Sequence, residues 1–272
     1  MGKPFLKWVG GKRQLIPEIV KFIPDSYNHY FEPFMGGAAL FFDQMPAQAT
    51  LSDVNEELVN AYKQVQTNPD GLISCLKQHR YEEVYYYQIR NLDRDPTQFA
   101  LLNDTERAAR LLYLNRAGFN GMYRVNSKGQ FNVPFGRYSK PNIVNEDGIR
   151  QAHHILQNAT IKSAPFDAVL ADAKAGDFVY LDPPYLPLSA TSHFTKYAKD
   201  DFDYADQQKL ANVCQSLHER QVRFVVSNSY HADIKALYKG FSFIEIKARR
   251  SINSKADGRA PISEILIYNQ LS

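Results

Sequence analysis

Two adjacent prolines directly behind a continuous apolar run constrain this chain most. Phe178-Val179-Tyr180-Leu181 reads as a buried strand, and Asp182-Pro183-Pro184-Tyr185 follows it without a break. Neither proline can donate to a sheet ladder, so the chain must leave the sheet at the strand's carboxyl end. That edge is where ligands bind in open α/β sheets. The turn places a carboxylate, a carbonyl released from the ladder and an aromatic ring close together. Such a set can hold a planar ring that bears an amino group: two oxygens accept its hydrogens and the aromatic stacks on it. The same residues also suit a buried strand end closed by a proline turn.

The two ends of the chain repeat the strand signal. Apolar, β-rich runs occur at His29 to Phe31, Ala49 to Ser52, Thr160 to Lys162, Arg223 to Ser227, Phe241 to Lys247 and Ser263 to Tyr268. Helical patterns separate several of them, such as Tyr204 to Arg220 with Leu210, Val213, Cys214 and Leu217 on one face. Strands alternating with helices imply a mostly parallel sheet covered on both sides, an α/β fold. The last two runs have no helix of ordinary length between them. A final antiparallel pair joined by the polar stretch Arg249 to Pro261 fits that spacing. The middle, residues 56–158, reads as mainly helical, with Thr105 as a candidate cap and a hairpin from Met122 to Val133 turning at Ser127-Lys128-Gly129.

A second motif, Phe31-Glu32-Pro33-Phe34-Met35-Gly36-Gly37-Ala38-Ala39, also follows a strand and opens a helix. Gly36 and Gly37 let backbone approach a ligand, although such a pair also serves plain tight turns. Asp53 ends the next strand, about twenty residues on, where an acidic side chain can accept from ribose hydroxyls. Lys7-Trp8-Val9-Gly10-Gly11-Lys12 fails as a phosphate loop, because Leu6 and Arg13 occupy the required glycine and hydroxyl positions.

A third stretch, Asn120 to Pro141, interleaves Arg124, Asn126, Lys128, Gln130, Asn132, Arg137 and Lys140 with Tyr123, Phe131, Phe135 and Tyr138. Arginine pairs with guanine edges, Asn and Gln with adenine edges, and basic groups neutralise phosphates. Net charge is only +3, so distribution matters more than the total. Lys128, Arg137 and Lys140 form one basic cluster, and Lys247, Arg249, Arg250, Lys255 and Arg259 another; either suits a polyanion or a solvated surface.

Other classes leave no trace. No metal-spaced histidines, zinc-type cysteines or serine nucleophile elbow occur. Adjacent His153 and His154 diverge on a helix, as surface pairs do. Cys75 and Cys214 sit in helical patterns, which argues against a disulfide. With 44% hydrophobic residues a packed core is expected. No membrane span or signal pattern is visible, and the cytosol is the simplest location.

These residues together resemble the Dam-type family of DNA adenine-N6 methyltransferases, and within it the modification enzymes of GATC restriction systems. The matching stretches are Phe5 to Lys12, Phe31 to Ala39, Ser52 to Asn55, Phe119 to Asn126, Phe131 to Tyr138 and Asp182 to Ser189. Cofactor motif first, recognition insert next and catalytic motif last is the order of the alpha group. The resemblance implies a seven-stranded, mostly parallel sheet with helices on both faces in residues 1–55 and 159–272. It implies a target-recognition insert over residues 56–158, mainly helical with a hairpin. S-adenosylmethionine is implied near Trp8, Lys12, Phe34, Gly36, Asp53, Phe166 and Asp182. Base reading and strand separation are implied for Asn120, Met122, Arg124, Pro134 and Tyr138. Relatives often carry an acidic residue before the aromatic at Phe166; Pro165 stands here, and Asp167 is a candidate substitute.

The expected reaction is methylation of a flipped-out adenine in double-stranded DNA, without a metal or a covalent enzyme intermediate. Tyr185 is expected to stack on the base, while Asp182 and the Pro183 carbonyl bind its amino hydrogens. A companion restriction endonuclease acting on the same site, outside any stable complex, is a possible partner. Cytosine-N4 methylation uses the same chemistry and the same tetrapeptide. A non-catalytic DNA-binding protein on a methyltransferase fold is the alternative of another class, against which the intact Asp182 and Tyr185 speak.

Overall fold

The computed structural model describes residues 2–185, 202–248 and 262–271. Among these residues the strands are β1 Tyr30–Glu32, β2 Ala49–Asp53, β3 Ala159–Ser163, β4 Phe178–Leu181, β5 Arg223–Ser229, β6 Ser242–Ala248 and β7 Ile262–Tyr268. They form one seven-stranded sheet in the order β3-β2-β1-β4-β5-β7-β6. Every strand run anticipated from sequence is present, each within about two residues. The α-helices are α1 Ile16–Ile19, α2 Ala39–Gln44, α3 Glu56–Thr67, α4 Pro69–Lys77, α5 Glu83–Asn91, α6 Pro96–Ala100, α7 Asp104–Ala117, α8 Glu146–Leu156, α9 Phe166–Leu170, α10 Tyr204–Glu219 and α11 Ala232–Leu237. No helix of the described residues is long and apolar enough to cross a membrane.

The chain forms two compact units. One comprises Met1–Gly11, Met35–Met45 and Leu51–Ser163; the other comprises Lys12–Phe34, Pro46–Thr50 and Ala164–Ser272. The first therefore takes in the N-terminal segment, α2, the end of β2 and β3 along with the middle helices. Local bonds account for this grouping. Asn115 on α7 accepts from the Lys7 amide at 3.0 Å and donates to the carbonyls of Lys7 and Gly121, both at 2.8 Å. Gln66 on α3 donates to the Leu156 and Ala159 carbonyls, both at 2.7 Å, tying α8 and β3 to α3.

In the second unit β1 pairs parallel to β4 and β4 parallel to β5, whereas β7 runs antiparallel to both β5 and β6. The expected closing antiparallel pair is present; the stretch joining it lies outside the described residues, as do Arg249, Arg250, Lys255 and Arg259. Side chains alternate across β4. Val179 and Leu181 join Val226, Ile267, Leu210, Cys214 and Leu217 in a core under α9 and α10. Phe178 and Tyr180 face the other way, and Phe178 packs tilted on Tyr30 with ring centroids 5.9 Å apart. All four β4 residues are buried, which is why this strand reads as unbroken apolar sequence. The chain leaves β1 towards β2 and β4 towards β5 in opposite directions, so the β1–β4 border is the topological switch point.

In the first unit α7 is buried from Ala108 to Asn115. Its cap is Asn103, not Thr105: the Asn103 side chain accepts from the Glu106 amide while Glu106 caps the Asn103 amide in return. The Thr105 hydroxyl instead donates to Gln64 at 2.8 Å. His153 departs from its expected surface position, since its Nδ1 lies 3.0 Å from the Gln66 carbonyl oxygen. His79 stacks on Tyr113 with centroids 4.5 Å apart, and burial lowers its pKa from 6.5 to about 4.

A histidine held neutral by burial stabilises the fold above the unfolded pKa. That contribution is lost as pH falls from 6.5 towards about 4. Allowing for solvent screening, His79 should account for roughly 1–2 kcal/mol of stability lost on acidification. His79→Phe keeps the ring stack and removes the titration. Urea unfolding of both proteins at neutral and mildly acidic pH should show a smaller acid loss in the variant; equal losses would exclude His79 as the source.

Candidate active site

Two strands of the second unit, β4 and β5, meet at Asp182. Leu181 pairs with Val226, so Asp182 leaves the sheet beside Ser227. The Ser227 hydroxyl donates to Asp182 Oδ1 at 2.7 Å and lies 3.2 Å from the Tyr180 hydroxyl. Lys12 Nζ lies 3.1 Å from the same Oδ1. Among the described residues both side-chain partners of Asp182 thus meet one oxygen, and Oδ2 retains its acceptor capacity. Burial pushes the Asp182 carboxyl above its usual range, opposed by Lys12 and Ser227.

The turn itself is gripped from below. Gln207 on α10 is fully buried and donates to the Pro184 carbonyl at 3.0 Å, while accepting from Asn228 at 2.9 Å. The Tyr185 hydroxyl donates to Glu264 Oε2 at 2.5 Å, and Lys12 Nζ lies 4.3 Å from the Tyr185 ring centre. Beneath β1, Phe34 stacks on Phe166 with centroids 5.3 Å apart, and Phe202 packs edge-on against Phe34. Asp167, next to Phe166, pairs with Lys209 at 2.8 Å.

Gly36 and Gly37 of the second motif belong to the first unit. Asp53 Oδ2 accepts from the Gly36 amide at 3.1 Å and Oδ1 from the Asn55 amide at 3.0 Å. Gly36 has φ +43°, and a Cβ there would lie 2.7 Å from Trp8 Cδ1. Only glycine fits this turn. Trp8 in turn stacks on Tyr123 at 4.9 Å. Gly37 follows at the start of the α2 turn, where a Cβ would lie 3.3 Å from Trp8 Cβ. A carboxylate clipped by two main-chain amides, with lone pairs left over, suits hydroxyl donors, and burial raises its pKa.

Within the same unit, Asn120 to Lys140 forms a hairpin-like excursion. Val125 bridges Phe131, and the Asn126 amide donates to the Gln130 carbonyl at 2.8 Å. The turn runs from Asn126 to Gly129, because the Asn126 side chain accepts from the Lys128 and Gln130 amides. Asn120 has φ +56° and is exposed beside exposed Phe119. Met122 is half-buried, whereas Arg124, Lys128, Pro134 and Lys140 are exposed. Arg124 Nε donates to Asn132 Oδ1 at 2.6 Å. Arg137 pairs with Glu83 at 3.3 Å, and the Tyr138 hydroxyl donates to the Gly118 carbonyl at 3.1 Å.

Across residues 8–252 the sequence matches the family described as D12 class N6 adenine-specific DNA methyltransferase. The chain belongs to that family. It is 45% identical over 271 residues to the type II methyltransferase M1.LlaDCHI of Lactococcus lactis subsp. cremoris, covering 98% of this chain and 95% of that one. It is 38% identical to the type II methyltransferase M.MjaIII of Methanocaldococcus jannaschii, covering 98% and 99%. It is 35% identical to the DNA adenine methylase of Haemophilus influenzae, covering 97% and 92%. The protein is an adenine-N6 DNA methyltransferase, its substrate is DNA, and the sheet described above is the α/β methyltransferase fold.

Sequence reasoning passed over Ser227, Gln207, Asn228 and Glu264. Signals for three of them exist: Ser227 and Asn228 lie near the end of an apolar strand, and Glu264 is the one acid in the run Ile262–Tyr268. Neither signal names its partner.

Proposed function

We propose that this methyltransferase modifies adenine within GATC in double-stranded DNA, with S-adenosylmethionine as methyl donor and base flipping as the means of access. The observation that carries the reading is the Asp182 carboxylate, held through Oδ1 at the carboxyl end of β4 with Oδ2 left to accept. Oδ2 and the Pro183 carbonyl take the two hydrogens of the adenine amino group, and Tyr185 stacks on the base. Binding both hydrogens draws the nitrogen lone pair out of conjugation and aims it. The cofactor, when bound, supplies an electrophilic sulfonium methyl. Transfer of that methyl would leave the cofactor as its neutral thioether, and the proton released by the methylated nitrogen would pass to solvent. Asp182 stabilises the positive charge that develops on nitrogen.

For the cofactor we propose the residues named from the sequence: Trp8, Lys12, Phe34, Gly36, Gly37, Asp53, Phe166 and Asp182. The tight Gly36 turn and the two-amide grip on Asp53 support the ribose assignment. Asp167 is engaged by Lys209, which weakens its candidacy as a contact to the cofactor adenine. Residues 56–158 form the target-recognition part, with base reading by Asn120, Met122, Arg124, Asn126, Pro134 and Tyr138 and phosphate binding by Lys128, Arg137 and Lys140. A DNA substrate supports the cytosol as the location, and the type II relatives support a companion restriction endonuclease acting on the same site. Exposure of Arg124 supports the guanine assignment: among the described residues Asn132 takes its Nε–H and one Nη2–H, and three of its five N–H donors remain.

Sequencing-based mapping of methylated positions on unmethylated DNA tests this reading. Wild-type enzyme should mark adenine in GATC. Arg124→Ala should spread methylation to sites altered at a guanine–cytosine pair, with about 1–3 kcal/mol of discrimination lost. Lys140→Ala should slow all sites alike. Methylation confined to another sequence would refute GATC, and methylation of cytosine would refute the adenine assignment.

A further inference from the structure

We propose that Glu264, on β7, is a positioning residue for methyl transfer: it fixes the ring of Tyr185 through the tyrosine hydroxyl. The inference rests on the reading of Asp182 to Tyr185 as the turn that holds adenine.

The placement follows from strand register. Ser229 pairs with Glu264 and Ser227 with Leu266 across the antiparallel β5–β7 ladder. Paired and alternate residues share a face, so Glu264 emerges on the Ser227 side of the sheet at the edge where β4 ends. The next three residues, Ile265, Leu266 and Ile267, are fully buried, and the Glu264 side chain is itself only 13% exposed. An acid so secluded carries a desolvation cost that an apolar residue would avoid. Two groups compensate it: the Tyr185 hydroxyl at 2.5 Å, and Lys12 Nζ at 3.8 Å.

Those contacts define the ring. Two prolines constrain the backbone before Tyr185 but leave its side-chain torsions to be set by neighbours. Glu264 holds the far end of the ring, and Lys12, itself anchored 3.1 Å from Asp182, covers a face of it. Hydroxyl and face together fix one plane. A base that stacks on that plane is presented to Asp182 at one angle, and misplacement at this scale is expensive in rate rather than in binding.

Kinetics of the full-length enzyme test the proposal. Glu264→Ala should lower kcat about 10–100-fold, with KM for DNA and for the cofactor within about twofold of wild type. Glu264→Gln, whose amide oxygen still accepts from the hydroxyl, should stay within about fivefold of wild type. Tyr185→Phe should lower kcat to a similar extent as Glu264→Ala, and combining the two should cost less than about threefold more. Unchanged kcat in Glu264→Ala, a defect confined to KM, or losses that multiply in the double variant would overturn the assignment. If Glu264→Ala does not fold, Tyr185→Phe decides, and a wild-type kcat in it overturns the proposal. Asp182→Ala run in parallel separates the two layers: an active Asp182→Ala refutes the reading of the turn, whereas an inactive one beside a fully active Glu264→Ala refutes only the role of Glu264.

Discussion

Asp182→Ala is expected to abolish methyl transfer, with kcat lowered by at least about 10²–10³-fold, in a protein that stays folded and still binds DNA. The carboxylate lies past the end of β4, outside the apolar packing of Val179 and Leu181, so the core loses little. What is lost is the acceptor that the reacting nitrogen requires, and water cannot replace a fixed oxygen at a fixed angle. Asp182→Asn is the sharper test, because the amide keeps one acceptor and removes the charge. It should remain severely impaired. The pH profile follows from the same group: burial raises the Asp182 pKa, so the acid limb of kcat should lie above the ordinary carboxylate range. Single-turnover methylation by the folded variants, judged by their near-ultraviolet circular dichroism, checks both. Wild-type turnover in either variant would contradict the assignment of Asp182.

Asp53→Ala should weaken cofactor binding by about 1.5–3 kcal/mol while leaving DNA affinity close to wild type. Two effects combine. The variant removes a carboxylate that could accept from ribose hydroxyls. It also strips the Gly36 and Asn55 amides of their acceptor, loosening the turn that Gly36 makes under Trp8. Asp53→Asn retains one acceptor oxygen and should fall between wild type and Asp53→Ala. Calorimetric titration of the cofactor, with DNA binding measured alongside, distinguishes the two sites. Unchanged cofactor affinity would remove Asp53 from the site.

Much of the fold was legible because its signals are local. Each strand announces itself by apolar or β-branched runs, and Tyr204–Glu219 by its helical stripe, so these depend on neighbours within a few residues. The errors are local too. Thr105 and Asn103 both suit a cap, and the decision falls to Glu106, which can return the bond to Asn103 alone. His153 looked like one of a surface pair because nothing nearby in sequence signals the carbonyls at the end of α3. Asp182 and Tyr185 stood out because the prolines mark them. Their partners did not, since Ser227 is 45 residues from Asp182 and Glu264 is 79 from Tyr185. Strand order creates those neighbours, and the insertion of β7 between β5 and β6 is not written in any short window.

The reversed direction of β7 has a consequence for how such a sheet can vary. A strand that runs with its neighbours brings its end to the ligand edge, whereas β7 brings its beginning. The position of Glu264 is then set by its ladder partner Ser229 and not by the length of chain that delivers it. Closure entropy rises only slowly with the number of residues between two paired strands, by about 0.6 kcal/mol for each doubling. The segment between β6 and β7 can therefore be lengthened, shortened or rewritten over evolutionary time while the acid at the start of β7 stays where it is.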